Sequence, residues 1–310
     1  MIAEEMSFIN FQTRFNTDLK CREYLFSQKW PNGFKCSCGN QECYYILKSR
    51  KIYQCKECKK QYSVTANTIF DKTRMPLNVW FSFIFLMLRE KHGISSLSAQ
   101  RLLGIKTYRT TWLMAQKIRK CLLDRDEKYK LSGIIEVDEA LVGGKKAGKR
   151  GRGAEGRTTV LFSVEKEEFN KNGETRYKSG FAKATIIKKA DAKTLKEALI
   201  GTIKQYSVLE TDGWRAYANL GLNHISHHPR VQGEGKNASE YFPCVHRVIS
   251  NLKGNLRGTL HGVRPKYLKY YLGEYLYRFN RRKWEAQLFF RGLRDCINHN
   301  PFCYKDVVSD

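Results

Sequence analysis
The sequence predicts an α/β protein in which a small metal-binding ribbon and a helical segment precede the main sheet. Two strand-like runs that end in acids, and a cluster of early cysteines, carry that expectation. The first run, Ile134-Ile135-Glu136-Val137-Asp138-Glu139, continues as Ala140-Leu141-Val142-Gly143-Gly144 and reads as a buried strand of a mixed or parallel sheet. Carboxylates inside such a strand are costly unless something pairs with them, and a metal ion is one such partner. The second run, residues 206–214, ends Glu210-Thr211-Asp212-Gly213-Trp214, where apolar residues give way to an acid and then to a glycine that permits a sharp exit. A lone acid at such a place is also what a turn or a helix cap uses, but two strand-end acids in one chain point to one shared site.

Between these runs, residues 158–164 and 180–187 read as strands and residues 191–199 as a helix capped by Asp191. Three strands, a helix and then the second acidic strand is an α/β order. Downstream the histidines crowd at His224, His227, His228, His246 and His261. Residues 240–258 read as a helix that carries His246, Ile249, Ser250, Lys253 and Arg257 on one face. Such a helix can bring an imidazole to a metal and a lysine to a neighbouring phosphate.

The chain has 310 residues, 42% of them apolar, enough for about two domains with ordinary cores. Its formal net charge of +26, from 56 Lys and Arg against 30 Asp and Glu, exceeds what solubility requires and points to a polyanionic partner, with nucleic acid first. An anionic membrane surface is the other candidate. No apolar run has spanning length, no secretory signal opens the chain and no lipidation motif is present, so the expectation is a cytoplasmic, nucleoid-associated protein without a membrane partner.

Of the ten cysteines, six lie at 21, 36, 38, 43, 55 and 58. A cluster of this kind in a reducing compartment means metal. Cys55-Lys56-Glu57-Cys58 is a C-x-x-C knuckle, and Cys36, Cys38 and Cys43 compete for the two remaining places, with Cys36 and Cys38 favoured and Cys43 as substitute. Four thiolates would close a tetrahedral structural Zn2+ site, with short hairpin strands at 44–47 and 51–54 between the knuckles. From Pro76 the pattern turns helical, with Trp80, Ile84 and Leu88 on one face. Residues 96–106 and 107–112 then read as two helices about a Gly104 turn, a helix-turn-helix shape. Its second helix brings Lys106, Arg109, Lys117, Arg119 and Lys120 toward a DNA groove, although a helical hairpin with a solvated basic face has the same pattern. The basic loop with Lys145, Lys146, Lys149, Arg150 and Arg152 looks built to follow a phosphate backbone and lacks the P-loop spacing. The expected division is a zinc ribbon at 1–75, a helical segment at 76–130 and a catalytic domain at 131–310.

In combination, the cysteine knuckle, Glu136-Val137-Asp138-Glu139 with Val142-Gly143-Gly144-Lys145, Thr211-Asp212-Gly213, the stretch from His246 to Lys253, and Gly258-Thr259-Leu260-His261-Gly262-Val263 resemble the insertion-sequence-1595 family of transposases. The closing run at 271–282 is similar to that family's last helix, so the resemblance covers nearly the whole chain. It implies a ribonuclease-H-like fold that cuts transposon ends and joins them to target DNA with two Mg2+ or Mn2+ ions held by a DDE-type triad. Carried over residue by residue, it gives Asp138 and Asp212 as the first two ligands. Members often have an acid seven residues before the lysine of a Ser-x-Leu-Lys segment; here Ser250-Asn251-Leu252-Lys253 puts His246 there, a DDH form, with Glu240 and Glu274 as substitutes. Lys253, Arg257 and the 281–283 cluster would hold the DNA backbone, and a homodimer or higher homo-oligomer would act on double-stranded DNA. Two rival readings are a zinc-ribbon DNA-binding regulator with an inactive ribonuclease-H-like domain, and a nuclease that cuts without joining.

Overall fold
The computed structural model describes residues 6–46, 51–143, 157–218, 220–222, 224–230 and 241–309. These form two compact units, Met1–Cys121 with Trp284–Asp310, and Leu122–Lys283.

The first unit begins with α1 (Phe8–Phe15) and α2 (Asp18–Lys29), whose Ser7 and Thr17 side chains cap them by accepting from the Asn10 and Lys20 N–H groups. A three-stranded antiparallel sheet follows, β1 (Cys43–Ile46), β2 (Ile52–Cys55) and β3 (Gln61–Tyr62). Next come α3 (Leu77–Arg89), α4 (Ser96–Leu102) and α5 (Tyr108–Glu127). Between α4 and α5 the chain turns at Gly104, whose φ of 62° few other residues adopt, so the two helices stand where the sequence places them, joined by a short turn. The last part of the chain belongs to this unit because the helix Leu288–Ile297 inserts Phe289 among Phe11, Phe15 and Phe85, with ring centroids 5.2, 5.8 and 5.7 Å away.

The second unit is built on a five-stranded sheet of β4 (Ile134–Val142), β5 (Thr158–Lys171), β6 (Glu174–Ile187), β7 (Val208–Asp212) and β8 (Ser226–Arg230) in the order β6-β5-β4-β7-β8. Strands β4, β5 and β6 pair antiparallel, while β4–β7 and β7–β8 are parallel. Counted within the sheet this is the order 3-2-1-4-5, the ribonuclease-H-like arrangement. Helices α6 (Ala192–Thr202) and α7 (Arg215–Ala218) cover the face that carries Ile135, Val137, Leu161 and Leu209. Helices α8 (Pro243–Gly258) and α9 (Leu268–Asn280) cover the other, with Val160, Phe162 and Val164. Alternation along each strand therefore decides which side chains meet α8.

Three expectations need correction. Strands β5 and β6 are far longer than the pattern at 158–164 and 180–187 suggests: they run on as a ribbon and close at Asn172-Gly173, both at positive φ (55° and 80°), as a type I′ turn requires. In the 281–283 cluster only Arg281 is turned into the core, while Arg282 and Lys283 keep exposed surface beside their contacts within the protein. Arg281 is buried, donates to both Asp126 oxygens at 3.1 and 2.6 Å and lies over the Tyr277 ring; Arg282 donates to the carbonyls of Ser179 and Phe279, and Lys283 pairs with Glu167 at 3.1 Å. Likewise Arg119 is fully buried and Lys117, depressed in pKa by burial, donates to the Ile69 carbonyl at 3.3 Å, because α5 is a core helix through most of its length. Within α5 only Tyr108 and Arg109 at its start and Glu127 at its end are exposed, as is the preceding Lys106.

Candidate functional site
Glu136 on β4 and Glu210 on β7 are register partners, and Lys166 reaches both, at 3.5 and 2.8 Å. They therefore share a face, and so do Asp138 and Asp212, each two residues further along its strand. That face is the one under α8, since Glu136 Oε2 accepts the N–H groups of Cys244 and Val245 at 2.8 and 2.9 Å. The two pairs of acids have different fates. Glu136 and Glu210 are buried and neutralised within the protein: Lys166 lies between them and Arg230 donates to Glu210 at 2.5 Å from β8. Asp138 and Asp212 are half-buried side by side, Asp212 as the last residue of β7 and Asp138 in the middle of β4, which runs on to Val142, so the expectation that both acids end their strands holds for Asp212 alone.

His246 enters from the first turn of α8, with its Nε2 3.9 Å from Asp138 Oδ2. Burial and the Lys253 ammonium two turns along hold its pKa below the ordinary 6.5, which keeps the imidazole neutral and able to bind a cation. Asp212 Oδ1 accepts the Trp214 N–H at 3.3 Å. On the opposite face Tyr217 is buried and donates to Glu139 Oε1 at 2.6 Å; burial and the Glu139, Asp138 and Asp212 carboxylates raise its pKa. The three expected ligands thus converge on one corner, but their ligand atoms do not all lie within 4.8 Å of one another. Among the described residues only Cys36, Cys38, Cys55 and Cys58 do so.

In that cluster Cys36 and Cys58 sulfurs lie 3.4 Å apart, and Cys38 and Cys55 sulfurs 3.7 Å apart. Cys43 sits in β1, outside the group, which resolves the competition in favour of Cys36 and Cys38. The short C-x-C knuckle works because Gly39, at φ 93°, turns back so that its N–H donates to the Cys36 carbonyl at 3.0 Å. Tyr62 Oη lies 3.1 Å from Cys36 Sγ and Asn40 Nδ2 donates to Cys55 Sγ at 3.3 Å. A soft tetrahedral cluster with polar hydrogens aimed at its sulfurs fits zinc-bound thiolates.

Two family models match the chain: the ISXO2-like transposase domain over residues 130–280 and the transposase zinc-ribbon domain over residues 16–61. The chain belongs to this family of transposases. An uncharacterized protein in transposable element ISH50 of Halobacterium salinarum is 26% identical over 141 residues, which are 44% of this chain and 45% of that protein. The chain thus spans under half the length of that relative. Among solved structures, the Mos1 strand transfer complex is similar at 11% identity and a TM-score of 0.30, covering 70% of this chain and 74% of that one. A pre-cleavage Mos1 transpososome is similar at 10% identity and a TM-score of 0.27, covering 72% and 79%. These likenesses are distant, and the strand order given above is what identifies the fold.

The zinc ribbon of this family member lacks a core that could stand alone, being a short three-stranded sheet under a few aromatic rings. Cys55→Ser or Cys58→Ser is expected to release one zinc per chain and to unfold the ribbon, since structural zinc contributes on the order of 10 kcal/mol in small domains. Metal analysis with circular dichroism checks it, and a purified parent chain without zinc would overturn the assignment.

Of the other expected residues, Lys253 and Arg257 lie on α8 beyond His246 and line a cavity of about 600 Å³ with Leu141, Val142, Arg157 and His261. Arg109 is exposed on the first turn of α5, its guanidinium carbon 4.6 Å from the Tyr304 ring centroid. Glu274 is buried on α9 and paired with Arg278 at 3.4 Å. Lys145, Lys146, Lys149, Arg150, Arg152 and Glu240 lie outside the described residues.

Sequence reasoning missed Glu136, Lys166 and Glu210 as a unit. Glu136 anchors the first turn of α8 to β4, two residues from Asp138, and so sets where His246 stands. Burial outweighs its hydrogen bonds and Lys166 and raises its pKa. Glu136→Ala should cost about 2–4 kcal/mol by leaving two buried helix N–H groups without an acceptor, Lys166 keeping Glu210, whereas Glu136→Gln retains an oxygen for both N–H groups and should cost less. Urea unfolding of the three proteins tests this order.

Proposed function
We propose that the chain is a DNA transposase of an insertion sequence, which cuts transposon ends and joins them to target DNA by two-metal phosphoryl transfer at Asp138, Asp212 and His246. The observation that carries this reading is the placement of the two half-buried aspartates next to each other on the adjacent strands β4 and β7 of a ribonuclease-H-like sheet, with the His246 imidazole 3.9 Å from one of them. The donor set suits Mg2+, with the imidazole also admitting Mn2+. Divalent ions bound there would lower the pKa of the attacking hydroxyl and stabilise the leaving oxygen.

The chain's own residues supply the rest. Asp138 and Asp212 provide the negative charge that holds the ions. His246 completes the set without adding another charge. Lys253 and Arg257 extend from that corner along one face of α8, where their charges suit a phosphate backbone. The exposed first turn of α5 and the zinc ribbon give the first unit its surfaces for DNA.

The test is incubation of the full chain with a labelled transposon-end duplex and target DNA in Mg2+ or Mn2+. Joined products are expected; cut ends that are never joined would make it a nuclease, and binding without either would make it a DNA-binding regulator.

A further inference from the structure
Helices α1, α2 and Leu288–Ile297 enclose a groove of about 830 Å³ that belongs to neither the zinc cluster, nor the helix-turn-helix, nor the acidic corner. Three arginines line it: Arg14, Arg291 and Arg294. Arg14 is fixed by rings, its guanidinium carbon lying 5.2, 5.5 and 5.9 Å from the centroids of Phe290, Phe15 and Tyr24. Arg291 is fixed as well, with Nε and Nη2 donating to Gln287 Oε1 at 3.1 and 2.9 Å and the Trp284 ring 5.2 Å away.

No acid lines the groove, and among the described residues none of these arginines is in a salt bridge. Three cations gathered without a carboxylate repel one another, so the arrangement gains most when an anion enters. Of the remaining polar lining, the Asn10, Gln28 and Gln287 amides offer neutral donors of the kind that meet phosphate and sugar oxygens, while the Thr13 hydroxyl donates to the Ile9 carbonyl at 3.0 Å. At about 830 Å³ the groove is also far larger than a single phosphate.

We infer that this groove, between α1, α2 and the helix Leu288–Ile297, is a sequence-independent contact for the phosphate backbone of duplex DNA. The inference rests on the DNA reading above and adds a surface to it. Arginines are suited to the task because a guanidinium held against aromatic rings keeps its planar N–H edge for bidentate bonds to phosphate. The acids of the metal site have no part in it.

Binding of the full chain to a labelled duplex, followed from about 50 to 200 mM salt, tests the inference, because each phosphate contact adds about 0.9 to the slope of log K against log salt. Changing Arg14, Arg291 and Arg294 together to Gln should lower that slope by about 2–3 and weaken binding at least tenfold, equally for transposon-end and scrambled duplexes. A control with the exposed Lys128, Lys188 and Lys189 changed to Gln should move the slope by less than about 1. Should the triple variant lose its zinc or its cooperative melt, the exposed Arg294→Gln alone should lower the slope by about 0.9. An arginine variant that behaves as the lysine control overturns the groove contact while leaving the DNA reading intact. A parent chain that binds no duplex even at low salt overturns both.

Discussion
Asp138→Ala and Asp212→Ala are each expected to abolish cleavage and strand transfer while leaving DNA affinity within about twofold of the parent. The reason is a division of labour visible on one face of the sheet. Affinity comes from Lys and Arg, which release counterions from DNA. The aspartates contribute nothing to it; with like charge they oppose DNA slightly. In the proposed reaction they would supply the electrostatic hold on divalent ions, worth several kcal/mol in phosphoryl transfer, and at about 1.36 kcal/mol per tenfold that is on the order of 10³-fold or more in rate. Neither change should unfold the chain, since both side chains are only half-buried, unlike Glu136 two residues before Asp138, which is fully buried in an ion-paired network. Gel-shift affinity and joining of a labelled end, measured on the same preparations, separate the two roles. Strand transfer at the parental rate in either variant would remove that residue from the site.

Much of this architecture is legible in the sequence because it is written locally. The β4 and β7 runs, the Asp191 cap, the Gly104 turn and the Cys55-Cys58 knuckle each carry their signal within a few residues. What was not legible is set by partners far away. Arg281 and Arg119 look like DNA-facing cations until Asp126, 155 residues from Arg281, and the packing of α5 are known. The arms of the β5–β6 ribbon lack a buried face beyond the sheet, so the alternation that marks a strand fades there, although Asn172-Gly173 was the signal that could have found them. Strand β8 hides for a related reason: Ser226-His227-His228-Pro229-Arg230 has no apolar alternation, and its position is fixed by pairing to β7. In the acidic corner the acids stand out in the sequence one by one, but only strand register reveals that Glu136 and Glu210 share Lys166 and that Asp138 and Asp212 lie side by side, half-buried, on adjacent strands.

His246→Ala should cost on the order of 10²-fold in end joining, the scale on which loss of a ligand or its close support weakens a metal site. His246→Glu should retain a measurable part of the activity, with Mg2+ favoured more strongly over Mn2+ than in the parent, because a hard oxygen replaces the imidazole. The pH dependence follows from the side chain's surroundings. Burial and Lys253 lower the His246 pKa from 6.5, despite Asp138 at 3.9 Å, so the neutral, ligating form persists below the pH at which a free histidine would be half protonated. Activity should therefore hold as pH falls to about 6.5 and decline only below it, through the depressed pKa, and a bound cation shifts the decline lower still. Stability has the same sign: below about 6.5 the unfolded imidazole takes up a proton more readily than the folded one, so acid favours unfolding through this group. In the Glu variant that histidine component of the pH profile should vanish. Removing the Lys253 charge as Lys253→Met should raise the His246 pKa and move the decline toward higher pH, a shift that a histidine with a purely packing role would not transmit to the rate. An Ala variant that joins DNA ends at the parental rate would exclude His246 as a ligand and return the third position to the acids.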